Sequence, residues 1–414
     1  MSLTISQKSI RSFLVILPFV LVYIGVVFLK VNHPVGTIFK LAAFGYMIMY
    51  ALIHNKTDKN LLSITLLFLL FLVYAIWHSF NINAGIQAGL RYLFPIVTLF
   101  YGYSIRKHID VIVKFMIVFV IINFIAQFYN YYGWIKHQNM WYYPQTINGE
   151  WYFNSAMGVL RASGIVVFFC FFGYMNMIAF FVIKRFYHGK YKKIILAIAL
   201  LMFLASLSYK TIVSFILVLT VYYYKKILNL ITFALLFVIG LMMALPLQTK
   251  NFIDNLLYRV DAYIFMSKPT LRSETYILMW QDIIGGDWFG HGAGSFGGPA
   301  SFLYNSPYYK EVNFQWLDTF WMKMSTVDTF PPHVFIELGI VGGLLFFLVL
   351  LTPLIRRKVS SLVLIIYFTL FIDMLFTFSL AGLDYLMFSL VLVYPIYHYD
   401  RHISVKENKI IVQK

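Results

Sequence analysis

Five basic side chains are the residues best placed to do chemistry, because each lies in a predicted outer loop or within or at the end of a long apolar stretch. Arg161 occurs in GVLRASG, Lys210 in LSYKT, Arg272 in PTLRSET and His333 in PPHVFIELG. Arg91 lies inside an apolar stretch, near one of its ends. A cation at such a position is costly unless it is paired or solvated, so each of the five is a functional candidate.

Together these groups suit a lipid-linked diphosphate. Arginine keeps its charge and binds phosphate through two parallel hydrogen bonds, whereas histidine accepts a proton from a hydroxyl near neutral pH. The cations would stabilise the diphosphate as a leaving group, and the histidine would activate an acceptor hydroxyl. Structural roles compete with this hypothesis. The competing structural roles are contact with lipid head groups for Arg161, an ion pair for Lys210 or Arg272, capping of the helix for His333 and support of the helix bundle for Arg91.

Metal chemistry is only weakly indicated. Asp282 and Asp287 lie close in sequence, but no further ligand and no HxxxH pattern accompanies them on the same predicted face. Asp282 is also, with Glu274, a candidate ion-pair partner of Arg272. The single cysteine, Cys170, excludes an intrachain disulfide and a Cys-based metal site, and we expect a buried, inert thiol. We therefore predict neither a metal nor a cofactor.

The elements that must position these groups are membrane helices. Of the 414 residues, 61% are hydrophobic and only 12% are charged. A soluble domain could not bury so much apolar surface, and nearly uncharged runs long enough to cross about 30 Å of hydrocarbon recur along the chain. The sequence predicts an all-α polytopic membrane protein. Its formal net charge of +17 fits Lys and Arg in cytoplasmic loops better than it fits nucleic-acid binding.

About twelve spans are predicted, with both termini in the cytoplasm. They lie near residues 13–29, 37–53, 61–80, 88–105, 111–130, 158–183, 194–209, 211–224, 227–245, 333–355, 359–378 and 381–399. The chain divides into a bundle over 1–245 with a periplasmic loop near 131–157, a large periplasmic loop over 246–332, and three further spans with a cytoplasmic tail over 333–414. The spans on either side of Lys210 are short, which favours a broken pair.

A glycine-rich stretch in the large loop, DWFGHGAGSFGG, contains the GxGxxG pattern at Gly292, Gly294 and Gly297. No strand precedes it, no βαβ unit surrounds it, and we place it outside the cytoplasm, so a dinucleotide-binding turn is excluded. Either the glycines allow tight turns, or they let the backbone approach a bulky ligand. Helices are predicted on its N-terminal side, near 251–265 and 270–284.

Three stretches resemble motifs of the O-antigen polymerase and O-antigen ligase superfamily. RSETYILMWQDIIGGDWFGHGAG, which begins at Arg272, is similar to an outer helix followed by a hydrophobic-Phe-Gly-x-Gly-x-Gly turn. PHVFIELGIVGG is similar to the PHN…ELGxxG re-entry helix, and LASLSYKTIVSF to the LSxSR turn. The resemblance covers roughly residues 155–350, and the overall predicted topology fits throughout. The order and membrane placement of the motifs make the combination specific.

The resemblance implies a metal-independent and nucleotide-independent glycosyltransferase at the periplasmic face of the bacterial inner membrane. Its donor would be a glycan on undecaprenyl diphosphate, and a chain-length regulator could be a partner. The acceptor would be the next lipid-linked repeat unit for a polymerase, or lipid A–core for a ligase. By position, Arg161 and Arg272 would hold the diphosphate and His333 would be the catalytic base. Lys210 and Arg91 complete the predicted diphosphate site.

Departures from the family pattern favour the polymerase over the ligase. Val334 follows His333 where ligases have a small amide or hydroxyl residue, and the distance from His333 to Gly339 is shorter than in ligases. Lys210 stands where the family usually has Arg. A flippase is a third hypothesis, but transporters usually show repeated halves and sites at the bilayer midplane, and this sequence indicates neither.

Overall fold

The structure of the protein is a computed structural model. It describes residues 7–31, 33–54, 58–136, 146–147, 150–151, 155–156, 159–166, 168–222, 250, 254, 257, 261, 270–316, 326–355 and 359–412. The predicted span near 227–245 lies outside these residues, and so does nearly all of the predicted helix near 251–265.

Helices make up most of the described chain, and two antiparallel pairings of two residues each lie between α5 and α6. The elements in chain order are α1 (Gln7–Val31), α2 (His33–Ile53), α3 (Lys59–Trp77), α4 (Ile82–Ser104), α5 (Ile109–Ile135), β1 (Thr146–Ile147), β2 (Glu150–Trp151), β3 (Ser155–Ala156), β4 (Val159–Leu160), α6 (Phe169–Phe186), α7 (Lys192–Ala205), α8 (Tyr209–Tyr222), α9 (Leu271–Gly285), α10 (Pro299–Leu303), α11 (Tyr308–Glu311), α12 (Phe330–Leu351), α13 (Ser361–Phe376), α14 (Leu383–Met387) and α15 (Leu390–Val412).

Local sequence sets where several helices begin and end. Asp58 and Asn81 cap α3 and α4, because their side chains accept hydrogen bonds from backbone N–H groups of the first turn. Thr270 and Ser273 form a capping box at the start of α9, which confirms the helix predicted near 270–284. That helix ends at Gly285, and the capping residue after it, Gly286, has a left-handed φ of 79°, which suits glycine.

Six of the described helices are long and apolar enough to cross a membrane. They are α1, α2, α3, α5, α6 and α12, the last extended by a 3-10 turn to Ile355. Large apolar side chains cover their outward faces: Leu70, Val73 and Trp77 of α3 are 72%, 67% and 85% exposed. Such a surface is costly in water and stable in lipid. The chain is therefore an all-α membrane protein, as its composition predicts.

The predicted span 158–183 is not one helix, because α6 begins well after residue 158. Residues 161–166 instead cross the polar side of α5. The side-chain oxygens of Asn123 and Gln127 accept hydrogen bonds at 2.9–3.0 Å from backbone N–H groups of this stretch. Since α5 satisfies these donors, no helix forms here, and Arg161 lies in an irregular segment rather than inside a span.

α7 and α8 are short, as predicted, with 14 residues each. A helix of that length spans about 21 Å, less than the roughly 30 Å of a hydrocarbon core. The chain turns sharply between them at Leu207, whose φ is 46°. α8 packs on α13, so the first turn of α8, which contains Lys210, lies beside α13.

The glycine-rich stretch docks into a break in α12. Gly339 has φ 65° and ψ −172°, which interrupts the helix and leaves backbone groups on both sides without helical partners. The carbonyls of Ile336 and Glu337 accept hydrogen bonds from the N–H groups of residues 291 and 292, at 2.9 and 3.0 Å. In return, the N–H groups of Ile340 and Val341 donate to the carbonyls of residues 287 and 288, at 3.2 and 3.0 Å. Four backbone hydrogen bonds thus join the loop to a membrane-spanning helix.

Gly339→Ala tests this junction. The left-handed φ disfavours any L side chain, and an added Cβ would overlap the backbone of Phe289 and Gly290. We expect destabilisation of about 2 kcal/mol or more, seen as a lower thermal unfolding midpoint of the detergent-solubilised protein. Gly45→Ala is the control, because that glycine lies in α2 with nothing within 4 Å of an added Cβ. Equal midpoints for the two variants would contradict this account.

Candidate functional site

His333 lies in the first turn of α12, directly after Pro331 and Pro332. Its side chain is only 1% exposed. The ring packs against Phe378, with centroids 4.4 Å apart, and more distantly against Phe296. Among the described residues, its Nε2 atom has no hydrogen-bond partner. A buried polar nitrogen without a partner is rare and is often a functional position.

Gly297 gives the His333 ring its space. Its φ is 72°, and a Cβ at this position would overlap the Nε2 atom of His333. The other glycines of the GxGxxG pattern, Gly292 and Gly294, are also left-handed and lie against the backbone of residues 78–84. The three glycines therefore form tight turns that pack closely on the chain itself.

Glu337 lies one helical turn after His333, on the same face of α12. The Tyr92 hydroxyl donates a hydrogen bond to its Oε2 atom at 2.7 Å, and the backbone N–H of Phe296 donates to Oε1 at 3.3 Å. Sequence reasoning missed both Glu337 and Tyr92. The four-residue spacing of His333 and Glu337 was a visible signal for the carboxylate, whereas nothing in the sequence connects Tyr92 to it.

Arg91, on α4, lines the same cavity as His333 and Glu337. Its guanidinium carbon is 6.0 Å from the centre of the Phe378 ring. Within the described part of the chain, no hydrogen bond or ion pair is formed by this guanidinium. The space between these side chains is about that of one water molecule. The cavity thus holds a largely buried cation without a direct ion pair, in electrostatic contact with Glu337 and beside a histidine nitrogen that has no hydrogen-bond partner among the described residues.

Lys210 is already paired. Its Nζ atom lies 2.8 Å from Asp373 Oδ1 and donates a hydrogen bond to Thr377 Oγ1 at 3.0 Å. The Lys210 and Asp373 side chains are 11% and 3% exposed, so this ion pair is buried. Thr377 directly precedes Phe378, and the pair therefore fixes the chain next to the His333 cavity.

Arg161 and Arg272 lie outside that cavity. The Arg161 guanidinium stacks on Phe169, 4.1 Å from the ring centre, and lies 5.7 Å from the ring of Tyr209. Arg272 donates through Nη2 to Asp328 Oδ2 at 2.7 Å, rather than to Glu274 or Asp282 as the sequence suggested. Asp328 is 53% exposed, so this ion pair is open to solvent.

One short segment connects these positions. We call residues 375–378 the junction segment; the first two are the last residues of α13, and the other two follow it. Its Leu375 carbonyl accepts a hydrogen bond at 2.8 Å from the Tyr276 hydroxyl of α9, the helix that carries Arg272. Thr377 contacts Lys210, and Phe378 contacts both His333 and Arg91. The junction segment thus contacts Lys210, Arg91 and His333 and the helix that carries Arg272, and only two of the five predicted residues share the cavity.

A second cluster contains Asp282, Asp287 and His291. The Nε2 atom of His291 lies 3.4 Å from Asp282 Oδ2 and 3.1 Å from Asp287 Oδ2. The sequence indicated only the two carboxylates, and the structure adds the histidine. Burial alone would lower the pKa of His291, but contact with Asp282 and the charges of both carboxylates outweigh it, so the pKa is raised. The Tyr308 hydroxyl donates to Asp282 at 2.8 Å.

Neither protein-family models nor curated proteins give a match to this chain. The resemblance to the polymerase and ligase superfamily therefore rests on the three sequence motifs alone.

Asp373→Asn tests the role of the buried ion pair. Removal of the carboxylate leaves Lys210 buried without its counter-charge, which costs about 3–5 kcal/mol. We expect a clearly lower thermal unfolding midpoint, and recovery of most of it in the double variant Lys210→Met/Asp373→Asn, because the uncompensated charge is then gone.

Asp400→Asn is the matched control, since its partner Arg185 is 51% exposed and that pair is worth little. An Asp373→Asn variant no less stable than this control would show that the Lys210 pair does not hold the junction segment.

Proposed function

We propose that this chain is a surface-polysaccharide polymerase. It transfers a glycan from undecaprenyl diphosphate to the next lipid-linked repeat unit, without a metal or nucleotide in the transfer step. The observation that supports this most directly is the cavity shared by Arg91 and His333, in which an unpaired cation lies beside an unpartnered histidine nitrogen. The cation would stabilise a diphosphate leaving group, and the histidine nitrogen would accept the proton of an acceptor hydroxyl.

The proposed reaction is a single displacement. The acceptor hydroxyl oxygen forms a bond to the anomeric carbon of the donor sugar, while the bond from that carbon to the diphosphate oxygen breaks. The hydroxyl proton passes to Nε2 of His333. The electron pair of the broken bond leaves with the diphosphate, whose developing charge Arg91 stabilises in a site that excludes water.

The other cations have different proposed roles. Arg272 lies at the outer side, and because its partner Asp328 is half exposed, a diphosphate can replace that carboxylate. Lys210 is a positioning residue, since its ion pair fixes the junction segment and with it Phe378. The cavity has room for about one water-sized group, so we propose that Phe378 moves aside when the reacting groups bind.

Glu337 is also proposed as a positioning residue. It accepts hydrogen bonds from Tyr92 and from the glycine-rich stretch, and it therefore ties α4, α12 and that stretch together around the cavity. Arg161 remains a candidate for contact with the lipid-linked diphosphate. Its place beside Tyr209 would put that contact next to the first turn of α8.

The proposal includes a topology. About twelve spans cross the bacterial inner membrane, the termini lie in the cytoplasm, and the cavity faces the periplasm. The large loop over 246–332 lies on that side, with the lipid-linked donor and acceptor in the outer leaflet. Support comes from the Lys and Arg residues of the predicted inner loops and from the six described helices that are apolar and long enough to cross.

The lipopolysaccharide ladder of a strain deleted for this gene tests the function. We expect core that carries a single repeat unit, and long chains again on complementation, because ligation persists when polymerisation is lost. Bare core, with long polymer on the lipid carrier, would identify a ligase instead. A normal ladder, with no other surface polysaccharide lost, would contradict both.

His333→Ala and Arg91→Ala test the site in the complemented strain. Loss of a proton acceptor or of a leaving-group cation lowers the rate by about 100-fold or more, so we expect the single-repeat phenotype at unchanged membrane levels of protein. Arg185→Ala is the control, because its exposed guanidinium pairs with Asp400 away from the cavity. Normal-length polysaccharide from His333→Ala would remove that residue from the mechanism.

A further inference from the structure

The cluster of Asp282, Asp287 and His291 has the composition and spacing of a metal site. Its three donor atoms lie within 4.8 Å of one another. Two separations, 3.1 and 3.4 Å from His291 Nε2 to the carboxylate oxygens, match the edge of a ligand tetrahedron. With zinc–nitrogen and zinc–oxygen bonds near 2.0–2.1 Å, that edge is about 3.3 Å. We propose that these residues bind one divalent cation of the zinc class, distinct from the His333 cavity.

The orientation of His291 supports this proposal. Its Nε2 atom is buried, and an N–H bond there makes no well-aligned hydrogen bond within the described residues, although two carboxylate oxygens are close. A nitrogen that faces the space between two carboxylates is where a metal ligand would lie. Loss of a proton from this nitrogen turns it from a donor into a ligand.

The hydrogen bonds that the two carboxylates accept also support a metal site. Asp282 Oδ2 accepts a hydrogen bond from the Tyr308 hydroxyl, and Asp287 Oδ1 accepts one from the Gly290 N–H at 3.0 Å. Hydrogen bonds of this kind orient ligating carboxylates and are typical of the outer shell of metal sites. Asp287 keeps its second oxygen, Oδ2, directed towards His291.

The ligand set selects among cations. An imidazole nitrogen disfavours magnesium and calcium, which prefer oxygen ligands. The cluster contains no thiolate, which disfavours copper(I). One histidine, two carboxylates and a free position for water suit zinc, with manganese or iron(II) as weaker competitors.

The cation would act as a structural clamp. Asp282 lies near the end of α9, Asp287 in the following turn and His291 in the glycine-rich stretch. The carbonyl of Asp287 and the N–H of His291 are two of the four groups that join this stretch to the break in α12. A metal that links these residues would therefore stabilise the junction on which the shape of the His333 cavity depends.

Zinc binding by the tag-free, full-length protein in detergent is the test. Zinc is titrated by calorimetry, and the amount retained after desalting is measured by mass spectrometry. We expect about one zinc per chain, and a rise in the dissociation constant of more than about 100-fold in His291→Ala, since even outer-shell changes cost about 10–100-fold. His78→Ala is the matched control, because it removes an exposed imidazole from the end of α3, beside Gly292.

Thermal unfolding separates the metal from a protonated histidine. If zinc clamps these residues, the unfolding midpoint of the wild type rises when zinc is added and falls when a chelator is added. Asp287→Asn abolishes both shifts. This second variant keeps the test decisive if His291→Ala does not fold. Without a metal, stabilisation by imidazolium would be complete below the ordinary pKa of about 6.5 and lost as pH rises through the raised value. No zinc retained by the wild type, equal binding by His291→Ala, or a midpoint that responds to pH and not to zinc would overturn the proposal.

Discussion

The exchange of backbone hydrogen bonds at the break in α12 is the constraint on which the site depends. A membrane-spanning helix cannot leave backbone groups without partners in an apolar setting, because each would cost several kcal/mol. Gly339 creates such groups, and the glycine-rich stretch satisfies four of them. That docking brings Gly297 against His333 and the Phe296 N–H against Glu337. The loop and the helix therefore form one cavity rather than two separate surfaces.

Charge compensation divides the cationic residues into two groups. Lys210 and Arg272 each have a carboxylate partner, and the former pair is buried where it holds the junction segment. Arg91 forms no direct ion pair among the described residues; the Glu337 carboxylate in the same cavity interacts with its charge but is already held by the Tyr92 hydroxyl and the Phe296 N–H. A largely buried cation without a direct ion pair is stabilised when an anion binds beside it. That stabilisation is the physical reason to expect an anionic substrate, and diphosphate is the group that the motifs suggest.

The sequence predicted the class of fold well, because long apolar runs have few structural alternatives. It also gave Arg91 and His333 as candidate site residues. It could not predict that these two share a cavity, since residues 91 and 333 are brought together only by packing of α4 against α12. The partners of Lys210 and Arg272 were equally hidden, because Asp373 and Asp328 are distant along the chain. The irregular path around Arg161 depends on amide side chains of α5, which no periodicity reveals.

Direct binding of undecaprenyl diphosphate tests the central claim, that the Arg91 cavity receives a lipid-linked diphosphate. The wild type and Arg91→Gln would be compared by native mass spectrometry of the protein in nanodiscs, with Lys40→Gln, whose cation already pairs with Asp384, as the control. The account predicts that the wild type and the control bind the lipid alike. Arg91→Gln should bind it about tenfold or more weakly, since hydrogen bonds to charged groups contribute about 1.5–3 kcal/mol. Equal binding by all three proteins would contradict the account.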